Sequence, residues 1–402
     1  MDEASPLVAI IIDAAVPYDR EIATGVAQYA REAGDWRLYI EEEAERRIPR
    51  ARSWNGQGVI ASFDDKRIAE AVVAMGLPTV AVGGGAGYHD PATGIPYVET
   101  DNETIARLAA EHLLDRGLGS FGFYGLPASV TSVWSQARAA AFERHLAAAG
   151  RPCRTLTARH ESREWDALQR ELAAWLGELP KPAGILACDD LRARHVLEAC
   201  RRCGLRVPYD VAVIGVDDDE FICELAEPPL SSIAQSARRI GHEAARLLDG
   251  LMRSAATGQD WRRDAAGRRV TLPPAGVVAR RSTETIAVAD PLIAEVVRAV
   301  REQACANISI AELVKRSGLS RWVLEDRFKR AVGHSIHDDI LRVKLAEARR
   351  LVTTTELPLK AIAPRAGFRS VSYMTTLFSR HLGSTPAALR KLAGRSGASR
   401  KN

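Results

Sequence analysis

Gly367-Phe368-Arg369-Ser370-Val371-Ser372-Tyr373 is the stretch from which the C-terminal third of the chain is read. Gly367 tolerates the positive φ of a tight turn, and the Ser370 hydroxyl can accept from the first free N–H groups of a helix. The pattern is a helix-turn-helix: Leu359 to Arg365 forms a supporting helix, and a second helix runs from the Ser370 cap to His381 with Tyr373, Leu377 and Phe378 turned inward. Its outer face offers Arg369, Ser372, Thr375, Thr376 and Arg380. The same grammar occurs earlier in the chain, where Ile310 to Ser317 reads as a short helix, Gly318 as the turn and Ser320 as the cap of a helix from Arg321 to Val332. Leu324 and Phe328 make one apolar face there, opposite Arg321, Trp322, Glu325, Asp326 and Lys329. Between the two units, Ile336 to Thr353 keeps helical apolar periodicity, so one rigid helix fixes their spacing. The candidate DNA-binding residues are Arg321, Trp322, Glu325, Asp326, Arg369, Ser370, Ser372, Thr375 and Thr376, whose side chains suit phosphates or base edges of double-stranded DNA.

Charge agrees with that division. Residues 286 to 402 carry 21 Lys and Arg against 10 Asp and Glu, a net +11, while the remainder carries 34 against 41, a net −7. A basic nucleic-acid module joined to a mildly acidic sensor has this asymmetry. At 402 residues and 46% hydrophobic content, two or three soluble domains are expected. No apolar run is long enough to span a bilayer, and Met1-Asp2-Glu3-Ala4-Ser5-Pro6 lacks the basic and apolar regions of a signal peptide, so a cytoplasmic protein without a membrane partner is expected. Six scattered cysteines suit a reducing compartment. Cys200 and Cys203 are the one close pair, and without a second pair they lack the ligands of a structural zinc site, so neither metal nor cofactor is expected.

The tandem units resemble the AraC/XylS family of bacterial transcription regulators. The residues that carry the likeness are Ser320 to Lys329 with Gly333, the long connecting helix, and Gly367-Phe368-x-Ser370-x-Ser372-Tyr373 followed by Gly383-Ser384-Thr385-Pro386-Ala387-Ala388-Leu389-Arg390. The pattern departs from the family at Pro364, at Met374 where an aromatic is usual, and at Ala388-Leu389 before the final Arg390.

The N-terminal two thirds alternates strand and helix. Leu7 to Ile12 is a continuous apolar run, as in a parallel strand buried on both faces, and Tyr18 to Gly34 follows with helical periodicity. The alternation recurs through Gly58 to Ala61, Lys66 to Met75, Pro78 to Val82, Glu103 to Arg116 and Ser120 to Tyr124, and again from Val133 to Val216. The fold class read from this is α/β, two doubly wound lobes, followed by an all-α domain. The expected boundaries are 1–285 for the sensor, 286–391 for the DNA-binding domain and 392–402 for a disordered basic tail. Within the sensor, one lobe is expected from 7–125 with 260–280 and the other from 126–259. Trp261 to Arg269 reads as an exposed loop, and Arg280 to Asp290 as a linker.

Ligands of such sheets gather where strands end. Asp13, Asp64, Asp189 and Asp217 stand just after strands, and carboxylates accept from hydroxyls, while Tyr18, Trp134 or Phe63 can lie against the apolar face of a sugar ring. Gly83-Gly84-Gly85-Ala86-Gly87 lacks the Lys-Ser/Thr ending of a phosphate loop and reads instead as a mobile loop. A carbohydrate-processing enzyme using two of the acids is the competing class, but it leaves the helix-turn-helix units without a role.

Trp134-x-x-x-Arg138-x-x-x-Phe142, Cys188-Asp189-Asp190, Val213 to Asp218 and Pro229 to Gln235 resemble the periplasmic-binding-protein-like effector domain of the LacI/GalR family. The resemblance implies that Arg138, Asp189, Asp217 and Gln235 line the cleft between the lobes, giving Asp13, Tyr18, Asp64, Trp134, Arg138, Asp189, Asp217 and Gln235 as the candidate ligand site. That family places its DNA-binding helices before the effector domain, whereas here the first strand starts at Leu7. An effector domain fused to a C-terminal AraC module resembles bacterial activators of pentose utilisation, which implies a sugar effector, D-xylose first, a homodimer, and RNA polymerase as a partner, with a different sugar or repression as the alternatives. Catalysis is not expected.

Overall fold

The computed structural model describes residues 5–33, 36–41, 54–85, 87–127, 133–160, 162–265, 267–284, 288, 290–355 and 357–391. The expected tail at 392–402 and part of the expected linker, at 285–287 and 289, lie outside these. Two units result, Met1–Thr285 and Ile286–Asn402.

In the first unit the elements are β1 (Leu7–Ile11), α1 (Pro17–Ala33), β2 (Arg37–Glu41), β3 (Gly58–Ser62), α2 (Lys66–Met75), β4 (Thr79–Gly83), β5 (Tyr97–Thr100), α3 (Asn102–Leu114), β6 (Ser120–Gly125), α4 (Val133–Ala148), β7 (Cys153–Thr157), α5 (Trp165–Glu178), β8 (Ala183–Ala187), α6 (Asp190–Arg202), β9 (Val211–Asp217), α7 (Glu220–Leu225), β10 (Ser231–Ala234), α8 (Ala237–Ala256), α9 (Trp261–Ala265), β11 (Arg269–Leu272) and β12 (Gly276–Val278). They form two six-stranded sheets, ordered β11-β5-β4-β3-β1-β2 and β12-β10-β9-β8-β6-β7. Every strand pair is parallel except β10 with β12.

Local chemistry accounts for the elements. β3, β4 and β8 are buried along their whole length, which is why they read as continuous apolar runs. Asp65 caps α2 by accepting from the Arg67 and Ile68 N–H groups, and Gly76 ends it at φ 69°.

The lobes divide differently from the sequence reading. β6 lies in the second sheet, paired with β7 and β8, so the first crossing comes after β5 and not after residue 125. α8 belongs to the first lobe: Ile240, Ala244, Leu248 and Leu251 bury in the same core as Val8, Ile10 and Val80. It packs on α1 closely enough that a Cβ on Gly25 would sit 1.9 Å from the Arg238 carbonyl oxygen, and one on Gly241 1.9 Å from that of Ile22. Trp261 is not part of an exposed loop; it starts α9 and joins this core. Nor do the first residues of the expected linker hang free. Ser282 and Thr283 are fully buried, the Ser282 hydroxyl donates to Val213 O, and Arg280 pairs with Asp218 at 2.8 Å.

The second unit comprises α10 (Pro291–Gln303), α11 (Ile310–Ser317), α12 (Arg321–Val332), α13 (Ile336–Thr354), α14 (Leu359–Arg365) and α15 (Val371–Leu382). Two small cores are strung along α13. Leu313, Leu324, Phe328 and Ile336 pack with Ile293, Val296, Val297 and Val300 of α10, a helix the sequence reading passed over. Leu345, Ala348 and Leu351 pack with Ile362, Phe368, Met374 and Phe378. Ser309 forms a capping box with Glu312, and Ser320 and Ser370 cap the second helix of each pair. Pro364 is accommodated in the last turn of α14. Among the described residues, no helix is long and apolar enough to cross a membrane.

Candidate functional site

The ends of β1, β3 and β4 in the first lobe face those of β8, β9 and β10 in the second, and the bridging contacts fix the geometry between them. Arg138, on α4, is 1% exposed. Its Nε and Nη2 donate to Asn102 Oδ1 at 3.1 and 2.8 Å, and its Nη1 donates to Cys188 O. The guanidinium carbon stands 5.0 Å from the centroid of the Trp134 ring. Trp134 in turn lies against the first lobe, its Cγ 3.0 Å from where a Gly84 Cβ would be, so a larger residue there would press on the ring. Asn102 Nδ2 donates to Gly84 O, Tyr18 donates to Gly83 O at 3.1 Å, and Tyr97 donates to Gly85 O. Gly83 to Gly85 are thus tied at four points, counting the Gly84 N–H to Asp64 Oδ2 at 3.0 Å, and do not form the mobile loop expected.

The acids differ from one another. Asp64 uses one oxygen on Gly84 while Oδ1 is buried without a partner among the described residues, and burial raises its pKa to about 6. Asp217 accepts from Gln235 Nε2 at 2.6 Å, leaving Gln235 Oε1 buried and unpaired among the described residues; burial and the neighbouring Asp189 push Asp217 up to about 7. Asp217 also sits at φ 117° and Asp218 at φ 56°, backbone strain of about 1–3 kcal/mol each of the kind concentrated at binding sites. Asp189 caps α6 by accepting from Arg192 N at 2.6 Å. Asp13 is exposed and occupied in a turn, its Oδ1 accepting from Ala15 N at 2.9 Å. Burial holds the Arg138 pKa down, opposed by the charge of Asp217.

Two residues that the sequence reading missed, Asp19 and Asn102, belong to this cluster, as does Asp190, which it noted only beside Asp189. Asp19 is buried, accepts from Asp13 N at 2.9 Å, and is pushed by burial up to about 7. In the sequence it looks like an ordinary acid in the first turn of a helix. Asn102 joins both lobes and follows β5, a strand left unread, so nothing flagged it as a strand-end residue. Asp190 is fully buried beneath β9, accepting from Ser232 Oγ at 2.6 Å and Asp219 N at 2.9 Å, and burial raises its pKa well above the carboxylate range. Among the described residues, no three His, Cys, Asp or Glu side chains are placed to hold a metal ion.

In the second unit Trp322 is 73% and Tyr373 55% exposed, the latter contrary to the inward position expected. Met374 takes the buried place one residue on, where it fills the core against Phe378. Arg321, Arg369, Ser372 and Thr376 are exposed and Thr375 half-buried. Glu325 and Asp326 are engaged on their own helix, Glu325 with Arg321 at 2.9 Å and Asp326 with Arg330 at 2.8 Å. The Ser370 hydroxyl is used as the cap of α15, accepting from Tyr373 N at 3.2 Å.

A two-lobed sensor with a polar interlobe cleft, on one chain with two helix-turn-helix units, defines a ligand-responsive DNA-binding transcription regulator. Family models agree segment by segment: XylR N-terminal domain over residues 7–103, periplasmic binding protein-like domain over 110–283, and helix-turn-helix domain over 313–392. The chain is 35% identical to the xylose operon regulatory protein of Escherichia coli K12 over 95% of its own length and 96% of the relative's. It is 32% identical to that of Haemophilus influenzae, covering 97% and 99%. A solved structure described as xylose-binding transcription activator xylR superposes with a TM-score of 0.78 at 33% identity, covering 98% of this chain and 99% of that one. The chain belongs to the family of xylose operon regulatory proteins.

Proposed function

We infer that this chain is a cytoplasmic activator that binds D-xylose in the interlobe cleft, binds its operator as a homodimer, recruits RNA polymerase and catalyses no reaction. The observation that carries the sugar assignment is the pairing of a fixed donor with open acceptors. The Arg138 guanidinium is held over Trp134, while Asp64 Oδ1 and Gln235 Oε1 are buried without partners among the described residues. Buried polar atoms left unpaired are costly, so a polyhydroxylated guest that satisfies them from both lobes is favoured. Trp134 and Tyr18 supply apolar surface for a ring, and Asp189, Asp217 and Asp13 supply further acceptors. The names of the relatives support xylose as the sugar and activation as the direction of regulation.

A sugar that bridges Asp64 or Asp13 on one lobe and Arg138, Asp189 or Asp217 on the other stabilises the closed arrangement, and it shifts the protein only by that differential affinity. On DNA, the outward residues Arg321, Trp322, Arg369, Ser372, Thr375 and Thr376 are the proposed contacts. Tyr373 joins them because it is exposed beside Ser372. Glu325 and Asp326 read bases only by leaving their arginine partners, and the natural target of a carboxylate there is a cytosine amino group.

The test is calorimetry with D-xylose, L-arabinose, D-ribose and D-glucose, alongside incubation with xylosides. D-xylose is expected to bind most tightly and no xyloside to turn over. Tighter binding of another sugar would remove the xylose assignment, and xyloside hydrolysis would remove the regulator-only reading.

A further inference from the structure

The second lobe encloses a polar cluster that sugar binding and DNA reading leave without a task. It lies between α5 and α6 at the end of β6. Tyr124, Gln169 and His195 are at most 2% exposed there. His195 stands edge-on to the Trp165 ring at 5.1 Å and 6.4 Å from the Tyr124 ring, and Gln169 Nε2 donates to His195 O at 3.3 Å. Arg194 and Arg202 lie over Trp165 at 5.8 and 6.0 Å.

Five polar atoms of this cluster are buried without a hydrogen-bond partner among the described residues: the Tyr124 hydroxyl, Gln169 Oε1, His195 Nδ1, and Nε and Nη1 of half-buried Arg192. Burying one such atom is costly, and five together imply a guest. The inventory says what kind. Arg192 presents two N–H donors and a positive charge, Tyr124 one O–H donor, and Gln169 Oε1 can only accept. Burial and the charges of Arg192 and Arg194 hold the His195 ring neutral. The two carboxylates whose charges reach Tyr124, Asp189 and Glu171, are used elsewhere: Asp189 caps α6, and Glu171 accepts from Arg159 N. A guest that brings negative charge, at least two acceptor oxygens and one O–H matches these groups. Water brings no charge, and acetate brings no O–H.

We propose that the buried cluster of Tyr124, Gln169, Arg192 and His195 is a second ligand site, separate from the sugar cleft, for a small oxyanion that also carries a hydroxyl, either hydrogen phosphate or an α-hydroxycarboxylate. Its oxygens accept from Arg192 and Tyr124, and its O–H donates to Gln169 Oε1. The regulator then responds to a second class of metabolite through the helix whose cap, Asp189, stands in the sugar cleft.

The full-length protein is titrated with inorganic phosphate, glycolate, acetate and chloride at constant ionic strength, following the melting temperature and the heat of binding. Saturable binding of phosphate or glycolate is expected, at least about tenfold tighter than acetate, with the tighter of the two identifying the natural class. It should weaken at least about tenfold in Tyr124→Phe, which removes one oxygen and keeps the ring, and in Arg192→Met, while Asp217→Asn leaves it unchanged. A stabilisation that does not saturate and is equal in all variants would be a general salt effect and would overturn the site. So would a crystal structure, grown with the tighter anion, that holds only water among these side chains.

Discussion

The interlobe cleft and the recognition helices carry similar residue types, and they use them in opposite ways. In the cleft, Asp19, Asp64 and Asp217 are withdrawn from water, and burial raises their pKa values to about 7, 6 and 7, with Arg138 the cation buried among them. On α12, Glu325 and Asp326 stand in water beside Arg321 and Arg330 as ordinary i,i+4 pairs. A carboxylate that is costly to keep charged is set up to be relieved by a ligand, while one in a solvated pair is worth at most about 1 kcal/mol and is free to exchange partners. The sensor stores free energy for its ligand; the reader keeps its charges interchangeable so that DNA can displace them.

The largest effect expected from this contrast is at Arg138. Arg138→Ala strands Asn102 Oδ1 and Cys188 O and leaves the acids around Asp217 without a buried counter-charge. It should destabilise the sensor by about 3–5 kcal/mol in chemical denaturation and weaken sugar binding well beyond tenfold. Stability within about 1 kcal/mol of the parent would mean that the guanidinium is not the cleft's electrostatic anchor. Next comes Gly25→Ala, whose Cβ meets the Arg238 carbonyl at 1.9 Å. A loss of about 1–3 kcal/mol is expected, with the α1–α8 contact forced apart.

The acids make stability depend on pH with a definite sign. Asp19 and Asp217 have folded pKa values near 7, above the ordinary carboxylate value of 3.8. Their contribution is therefore fully present below about pH 4 and is lost as pH rises through 7. Melting temperature should fall between pH 4 and 7, and Asp19→Asn should recover about 1–3 kcal/mol at pH 8 while changing little at pH 4. A flat profile in this window would place Asp19 in water.

The smallest effects belong to the reader. Arg369→Ala should weaken DNA binding and lower the slope of log affinity against log salt by about 1, as one lost phosphate contact requires. Glu325→Gln releases Arg321 and should cost less than about 1 kcal/mol in folding, yet move the preferred base at one operator position in a selection experiment. An unaltered consensus would remove Glu325 from the readers.

Much of this contrast was legible in the sequence where one residue has one local job. Ser320, Gly318, Ser370 and Gly367 announce caps and turns within four residues of the helices they serve, so both helix-turn-helix units could be placed from short patterns. Arg138, Trp134, Asp64 and Asp217 were singled out as candidates through strand ends and family likeness. The failures all involve partners distant in sequence. α8 reads as helix, but nothing local says that it returns to the first lobe and buries against β1. Asn102 acquires its role from Gly84 and Arg138, which only folding brings together. Tyr373 was expected inward because an aromatic at that spacing is apolar enough to suit the core, but the second core takes the flexible thioether of Met374 instead.

A sugar-responsive regulator requires the cleft and the recognition helices to be coupled. The direct measurement is a closed set of four titrations of the full-length protein at one salt concentration: D-xylose affinity with and without operator DNA, and operator affinity with and without D-xylose. Sugar is expected to tighten operator binding by about 1–3 kcal/mol and operator to tighten sugar binding by the same factor. Zero coupling in both directions, with D-xylose still bound in the cleft, would contradict it.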